Sequence, residues 1–199
     1  MSSQTVQTTV TASDEQLMID LQSGNRDAFA ELVERYHQDA LRLAYYYAHN
    51  WEDARDLSQD AFIKVFQQAQ SFDPVQSFRP WFFRILTNHV LNFLNRKKRV
   101  RFFSLFDRLN NDEDGSWVDK IAEPQSEESE FTNRELVWKA LDQLTPEHRS
   151  VMILHEIEGL KEQEIAATLD CSLGTVKSRL HYARKKMKKI LSHDVQGRK

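Results

Sequence analysis

KEQEIAATLDCSLGTVKSRL, residues 161–180, is the stretch from which the rest of the chain can be read. Ile165 and Leu169, four apart, give a short helix one buried side. Ala166 beside them is small enough to let a second helix cross closely. Asp170-Cys171-Ser172 form a tight turn, and Ser172 is placed to cap the second helix. Val176 and Leu180 then bury that helix against the first. Such turns often have Gly where Asp170 stands, but Asp tolerates left-handed backbone better than most residues. The pattern is a helix-turn-helix.

The outward face of the second helix carries Thr175, Lys177, Ser178, Arg179, His181, Tyr182 and Arg184. These side chains can reach phosphates and base edges in a major groove. An ordinary helical hairpin with a solvated basic face would share some of these features. The coincidence of small residue, turn, cap and basic face favours DNA reading. Cys171 has no second thiol nearby and reads as a small, partly buried turn residue rather than a redox sensor.

Working outward, Thr145-Pro146-Glu147 supply an N-cap, a first-turn proline and an acidic first turn for a helix that Gly159 should end. Leu136, Val137, Ala140, Leu141 and Leu144 mark one more amphipathic helix before it. These elements predict a helical domain over residues 131–192, with a short tail at 193–199. Residues 101–130 mix isolated aromatics with Asn, Asp, Gly, Pro and Glu, and read as an extended acidic linker.

The N-terminal part is a second helical body. Residues 1–13 are polar and aperiodic and read as a disordered tail, with Ser13 capping a short helix that stops at Gly24. Asn25 can cap a long helix with Phe29, Leu32, Val33, Tyr36, Ala40, Leu43, Ala44 and Tyr47 on one stripe. Asn50 can cap a third, whose apolar side runs through Ala54, Leu57, Ala61, Val65 and Ala69. Ser77 can cap a fourth, with Pro80 in its first turn and Trp81, Ile85 and Leu91 turned inward. Together they predict a four-helix domain over residues 14–100. Arg84, Asn88, Asn92 and Arg96 fall four apart on one face of the fourth helix, a row suited to base and phosphate contact. The preceding loop, Phe72–Ser77, could form a pocket for an unstacked base.

Bulk composition agrees with an all-helical, two-domain chain. Only five Gly and four Pro occur in 199 residues, too few for the many turns of a sheet protein. The net charge of −3 hides an uneven distribution. Basic residues gather at Arg96–Arg101 and Lys177–Lys189, and acidic ones between Asp107 and Glu130. A single cysteine excludes an internal disulfide framework. No apolar run approaches membrane-spanning length, and the N-terminus lacks the basic flank and apolar centre of a secretion signal, so a cytoplasmic protein is expected. No P-loop, dinucleotide fingerprint, nucleophile elbow or metal-ligand cluster is present. His155-Glu156 lacks the second His of a zinc-protease helix. Neither enzymatic activity, a metal nor a cofactor is expected.

Four segments occur in an order that resembles a known family: SGNRDAFAELVERYH (23–37), EDARDLSQDAFIKVF (52–66), FRPWFFRILTNHVLNFLNRKKR (78–99) and IEGLKEQEIAATLDCSLGTVKSRLHYARKKMKK (157–189). They are similar to the extracytoplasmic-function (ECF) sigma factors of the bacterial sigma-70 family. The resemblance implies a sigma region 2 domain and a sigma region 4 domain that together direct RNA polymerase to promoters. It implies that Asp53, Asp56, Gln59 and Asp60 contact core polymerase at its β′ clamp helices, with the β flap as a further polymerase contact. It implies that Phe72, Arg84, Asn88, Asn92 and Arg96 read the −10 element and capture a flipped base. Ser172, Thr175, Lys177, Ser178, Arg179, His181 and Arg184 would then read the −35 element. The acidic run Asp112-Glu113-Asp114 fits a linker threading a basic polymerase channel, although a merely solvating linker fits as well. An anti-sigma factor is an expected partner, and direct membrane insertion is not. A dimeric helix-turn-helix regulator would leave the first domain without a purpose. A sigma mimic that sequesters an anti-sigma factor would not need the basic recognition helix.

Overall fold

The structure, a computed structural model, describes residues 12–110 and 136–196. Every regular element among them is helical. The first domain contains α1 (Asp14–Gln22), α2 (Arg26–Ala48), α3 (Trp51–Gln68) with a short 3-10 turn at Ala69–Ser71, and α4 (Phe78–Asn110). The second contains α5 (residues 136–142), α6 (Pro146–Met152), α7 (Glu162–Thr168) and α8 (Leu173–Gln196).

The helix starts follow the caps read from sequence. Ser13 Oγ accepts from the Gln16 amide, Asn25 Oδ1 from Asp27 and Asn50 Oδ1 from Asp53. Each satisfies one of the amides that a helix start leaves unpaired. The stops are equally local. Gly24 and Gly159 take positive φ, +98° and +65°, where a Cβ would be strained. His49 (φ +53°) and Asp170 (φ +50°) do the same without being glycine.

In the first domain Leu32, Ala40, Leu43 and Ala44 of α2 are buried with Ala54, Leu57, Ala61 and Val65 of α3. Phe78, Phe82 and Phe83 of α4 are fully buried, and each contributes about 1.5–3 kcal/mol of apolar burial. The inner side of α4 is therefore Phe78, Phe82, Phe83, Leu86 and Val90. Trp81, Ile85 and Leu91, expected inward, are only half-buried. In the second domain Val176, Leu180 and Ala183 of α8 are buried with Ile165 of α7 and Val151 of α6.

Two helices run past the expected bounds, and a third departs from regular α geometry. Helix α4 runs on through Asn110, into the first ten residues of the expected linker. Phe102, Leu105, Phe106 and Leu109 in fact keep the i, i+3, i+4, i+7 spacing of a helix face. Helix α8 reaches Gln196, past the expected end at 192. Helix α6 widens into a π-turn at Ile153–Ile157 before Gly159 ends it. The acidic stretch 111–130, with Asp112-Glu113-Asp114, and residues 1–11 of the N-terminal tail lie outside the described residues.

The two domains pack on each other. Helix α7 lies against α4, and the π-turn after α6 lies against α2. Tyr47 donates to Ser150 Oγ at 2.8 Å, and Thr168 donates to the Pro80 carbonyl at 3.3 Å. Glu158, whose side chain has no exposed surface, receives Arg42 at 2.7 Å, while its carbonyl accepts from Arg79 at 2.6 Å. Burial pushes the Glu158 carboxyl above its ordinary range, against the opposing pull of Arg42.

Candidate nucleic-acid interfaces

Helix α4 buries its aromatic side and so turns a polar row outward. Arg84, Asn88, Asn92 and Arg96 are all exposed and stand four apart along one face. Beside the row lies a groove of about 370 Å³ lined by Lys64, Gln68, Trp81, Arg84, Ile85, Asn88, His89 and Asn92. The half-buried Trp81 and Ile85 form apolar wall, and the Arg, Lys and Asn side chains supply donors. That combination suits a stacked base with its phosphate nearby. A wider groove of about 800 Å³ continues between α3 and α4, with Asn95, Arg96 and Arg99 along it.

Phe72 does not belong to this exposed set. Its ring is 3% exposed and packs at 5.1 Å from Trp81 and 6.1 Å from Phe78. Large apolar surface is more stable in the core than presented to water, so Phe72 secures the loop from below. What the loop presents is Asp73 to Ser77, with Val75 93% exposed at its tip. Ser77 does not cap α4 as expected. The Phe78 amide donates instead to the Glu15 carboxylate at 3.0 Å, from helix α1.

On α3, Asp56 and Gln59 are exposed, while Asp53 and Asp60 reach back to α4. Asp53 pairs with Lys97 at 2.6 Å and Asp60 with His89 at 3.1 Å. His89 is held below its ordinary imidazole range by burial and by the neighbouring Lys64, against the Asp60 bond. Ile63 and Phe66, on the same helix, are about half exposed at 53% and 45%.

In the second domain the helix-turn-helix forms as read. Ser172 Oγ accepts from the Thr175 amide at 3.1 Å and caps α8. Val176 and Leu180 are buried, which turns Lys177, Ser178, His181, Tyr182 and Arg184 to solvent. Arg179 is half-buried, with its guanidinium 3.9 Å from Cys171 Sγ. Arg184 is engaged by Glu156 at 2.7 Å, and Lys177 stands 3.9 Å from Glu162. Sequence reasoning missed these acidic neighbours because they arrive from other helices. Arg84, from the row on α4, lies 3.7 Å from Asp170 in the helix-turn-helix turn.

Two separate cationic faces on one helical chain are the geometry that the comparisons with known proteins complete. Residues 32–100 match Sigma-70 region 2, and residues 134–187 match Sigma-70 region 4. The chain is 33% identical over 174 residues to the ECF RNA polymerase sigma-E factor of Escherichia coli strain K12, covering 86% of this chain and 91% of that one. This chain belongs to the ECF sigma factors. It is also 38% identical over 168 residues to the ECF RNA polymerase sigma factor SigE of Mycolicibacterium smegmatis, covering 81% of this chain but 61% of that relative's length. Among solved structures it is similar to CnrH in complex with the cytosolic domain of CnrY. The TM-score is 0.69 and the identity 26%, over 92% of this chain and 99% of that one. The sigma factor RpoE of Bartonella quintana, solved with the anti-sigma factor NepR, shares the fold with a TM-score of 0.63 at 23% identity, over 82% of this chain and 96% of that one. Every regular element among the described residues of both matched regions is helical. No described helix is long and apolar enough to cross a membrane.

Proposed function

We propose that this ECF sigma factor binds core RNA polymerase and supplies it with promoter reading. Its second domain reads the −35 duplex and its first traps an unpaired base of the −10 element. The observation that carries the reading is the exposed Arg84–Asn88–Asn92–Arg96 row beside an aromatic-walled groove, on the same chain as a capped helix-turn-helix with an exposed basic face. The chemistry of transcription belongs to the polymerase, and this chain acts where that enzyme does, in the cytoplasm, as an initiation factor and not an enzyme.

The division of labour follows the two matched regions. Thr175, Lys177, Ser178, Arg179, His181 and Arg184, with Ser172 at the helix start, meet the −35 major groove. Arg84, Asn88, Asn92 and Arg96 meet the −10 strand, with Phe72 acting from beneath. Asp53, Asp56, Gln59 and Asp60 face the β′ clamp helices of core polymerase, and the β flap receives the second domain. The likeness to CnrH, solved with a cytosolic partner domain, supports control by an anti-sigma factor.

Adding the purified chain to sigma-free core polymerase should give transcripts that start at defined promoters. Core enzyme that gains no promoter selectivity, or fails to bind the chain at all, would overturn the reading.

A further inference from the structure

Helix α1 lies outside the residues that match Sigma-70 region 2, which begin at residue 32. Its polar side chains nonetheless hold both ends of the loop that leads into α4. At one end, Gln22 Nε2 donates to the carbonyls of Ala69 at 2.9 Å and Phe72 at 2.8 Å. Gln70 Nε2 returns a bond to the Gln22 carbonyl at 3.0 Å. At the other end, Glu15 Oε1 accepts from the Phe78 amide at 3.0 Å. Between these two anchors the exposed loop is organised by Asp73, whose carboxylate accepts from the Val75 amide and whose carbonyl accepts from Gln76.

We propose that Gln22 and Glu15 are positioning residues for reading the unpaired −10 strand, fixing the loop and the start of α4 against each other so that the groove meets a base in one register. The proposal rests on the sigma reading above. Glu15 and Gln22 stand seven residues apart, two turns along one face of α1, so a single rigid element sets both anchors. The two hydrogens of the Gln22 amide are both spent on carbonyls just past the end of α3, at the start and the C-terminal edge of the 3-10 turn. From there the path to the groove is short. The Phe72 carbonyl is held by Gln22, the Phe72 ring packs on Trp81, and Trp81 lines the groove.

A residue that merely packed would tolerate replacements of its own size. Gln22→Met keeps the bulk and removes the donors, and Gln22→Glu keeps the shape but sets a carboxylate against two carbonyl oxygens. Glu15→Gln keeps an acceptor for the Phe78 amide, and Glu15→Leu removes it.

The test uses the full chain on core polymerase with a template pool randomised across the −10 region, the transcripts being sequenced. Gln22→Met and Glu15→Leu should flatten the −10 base preference by about threefold or more, the scale of one net hydrogen bond. Gln22→Glu should flatten it at least as far, and Glu15→Gln should restore it, with core binding and −35 preference unchanged. Folded Gln22 variants that keep the wild-type preference to within about twofold would overturn the proposal. If the Gln22 variants do not fold, equal preferences for Glu15→Gln and Glu15→Leu would overturn it. A wild-type chain that gives no promoter-selected transcripts would instead sink the sigma reading, and this proposal with it.

Discussion

The guanidinium of Arg42 on α2 sits 2.7 Å from the carboxylate of Glu158, across the boundary between the two domains. The carboxylate has no exposed surface, while Arg42 remains 41% exposed and also holds Asp39 at 2.7 Å. The pair is therefore unequal. Arg42 can return to water on losing its partner, and Glu158 cannot.

That inequality predicts strongly non-additive substitutions. Arg42→Ala leaves the buried Glu158 carboxyl without its partner and should weaken the domain contact by about 1–3 kcal/mol. Glu158→Gln on the Arg42→Ala background should recover much of the loss, because a neutral amide tolerates burial better. The radius of gyration from small-angle scattering should rise for Arg42→Ala and fall back in the double variant. Equal radii for all three chains would count against it.

If the two domains hold the −35 and −10 elements at once, as proposed, the packed domains must separate. The −35 and −10 elements lie about 25 base pairs apart, or about 85 Å of B-DNA at 3.4 Å per step. Here Arg84 lies 3.7 Å from Asp170, two residues before the Ser172 cap of the recognition helix. The 25 residues between Asn110 and Leu136 can span about 85 Å when fully extended. Spin labels on exposed Gln38 and Lys188, in a Cys171→Ser background, should report a longer distance in the promoter complex than in the free chain. An unchanged distance would refute it.

Base reading should divide between the domains. Arg179→Ala should weaken −35 duplex binding by about 1–3 kcal/mol if its guanidinium makes a bidentate base contact. Asn88→Ala should leave that binding intact and impair strand opening, seen as lost permanganate reactivity over the −10 region. Each phosphate contact removed should flatten the slope of log affinity against log salt by about 0.9.

Acid should destabilise the first domain through His89. Burial and the nearby Lys64 hold its pKa below the ordinary value, so the unfolded chain binds the proton more readily than the folded one. Its contribution is present in full above the unfolded imidazole pKa, about 6.5, and is lost as pH falls from there through the lower folded value. Asp60→Asn removes the partner that opposes the shift and should lower the His89 pKa further. Histidine proton titration by NMR measures both, and a pKa that rises in Asp60→Asn would refute the account.

Thr87 of α4 is 1% exposed, and its hydroxyl has no hydrogen-bond partner among the described residues. Thr87→Val removes a desolvated polar atom while keeping the branched shape. It should raise stability by about 1 kcal/mol, measurable by urea denaturation.

Helix starts and stops were legible in the sequence because they are settled within a few residues. Ser13, Asn25, Asn50 and Ser172 cap as their spacing predicts, and Gly24 and Gly159 end helices where left-handed backbone is needed. The outward α4 row was legible for the same reason, since a helix face needs only a period. What escaped depends on contacts between distant residues. Nothing near Phe78 announces that Glu15 will cap it, and nothing in Gln22 announces its two carbonyl partners. The burial of Phe72 was not legible because an aromatic beside a loop reads equally as exposed surface or as floor. The spacing of Phe102, Leu105, Phe106 and Leu109 fits a helix, while the acidic residues beyond it fit a linker, and the sequence alone does not weigh one against the other.

Helix α4 carries its buried aromatics and its outward polar row on one uninterrupted thread. Each residue advances that thread by about 100°. A single insertion or deletion between Leu86 and Asn92 would swing the downstream half of the row around the axis, even with every side chain type retained. This segment can therefore diverge by replacement but not by length, and gaps in alignments of its relatives should avoid it.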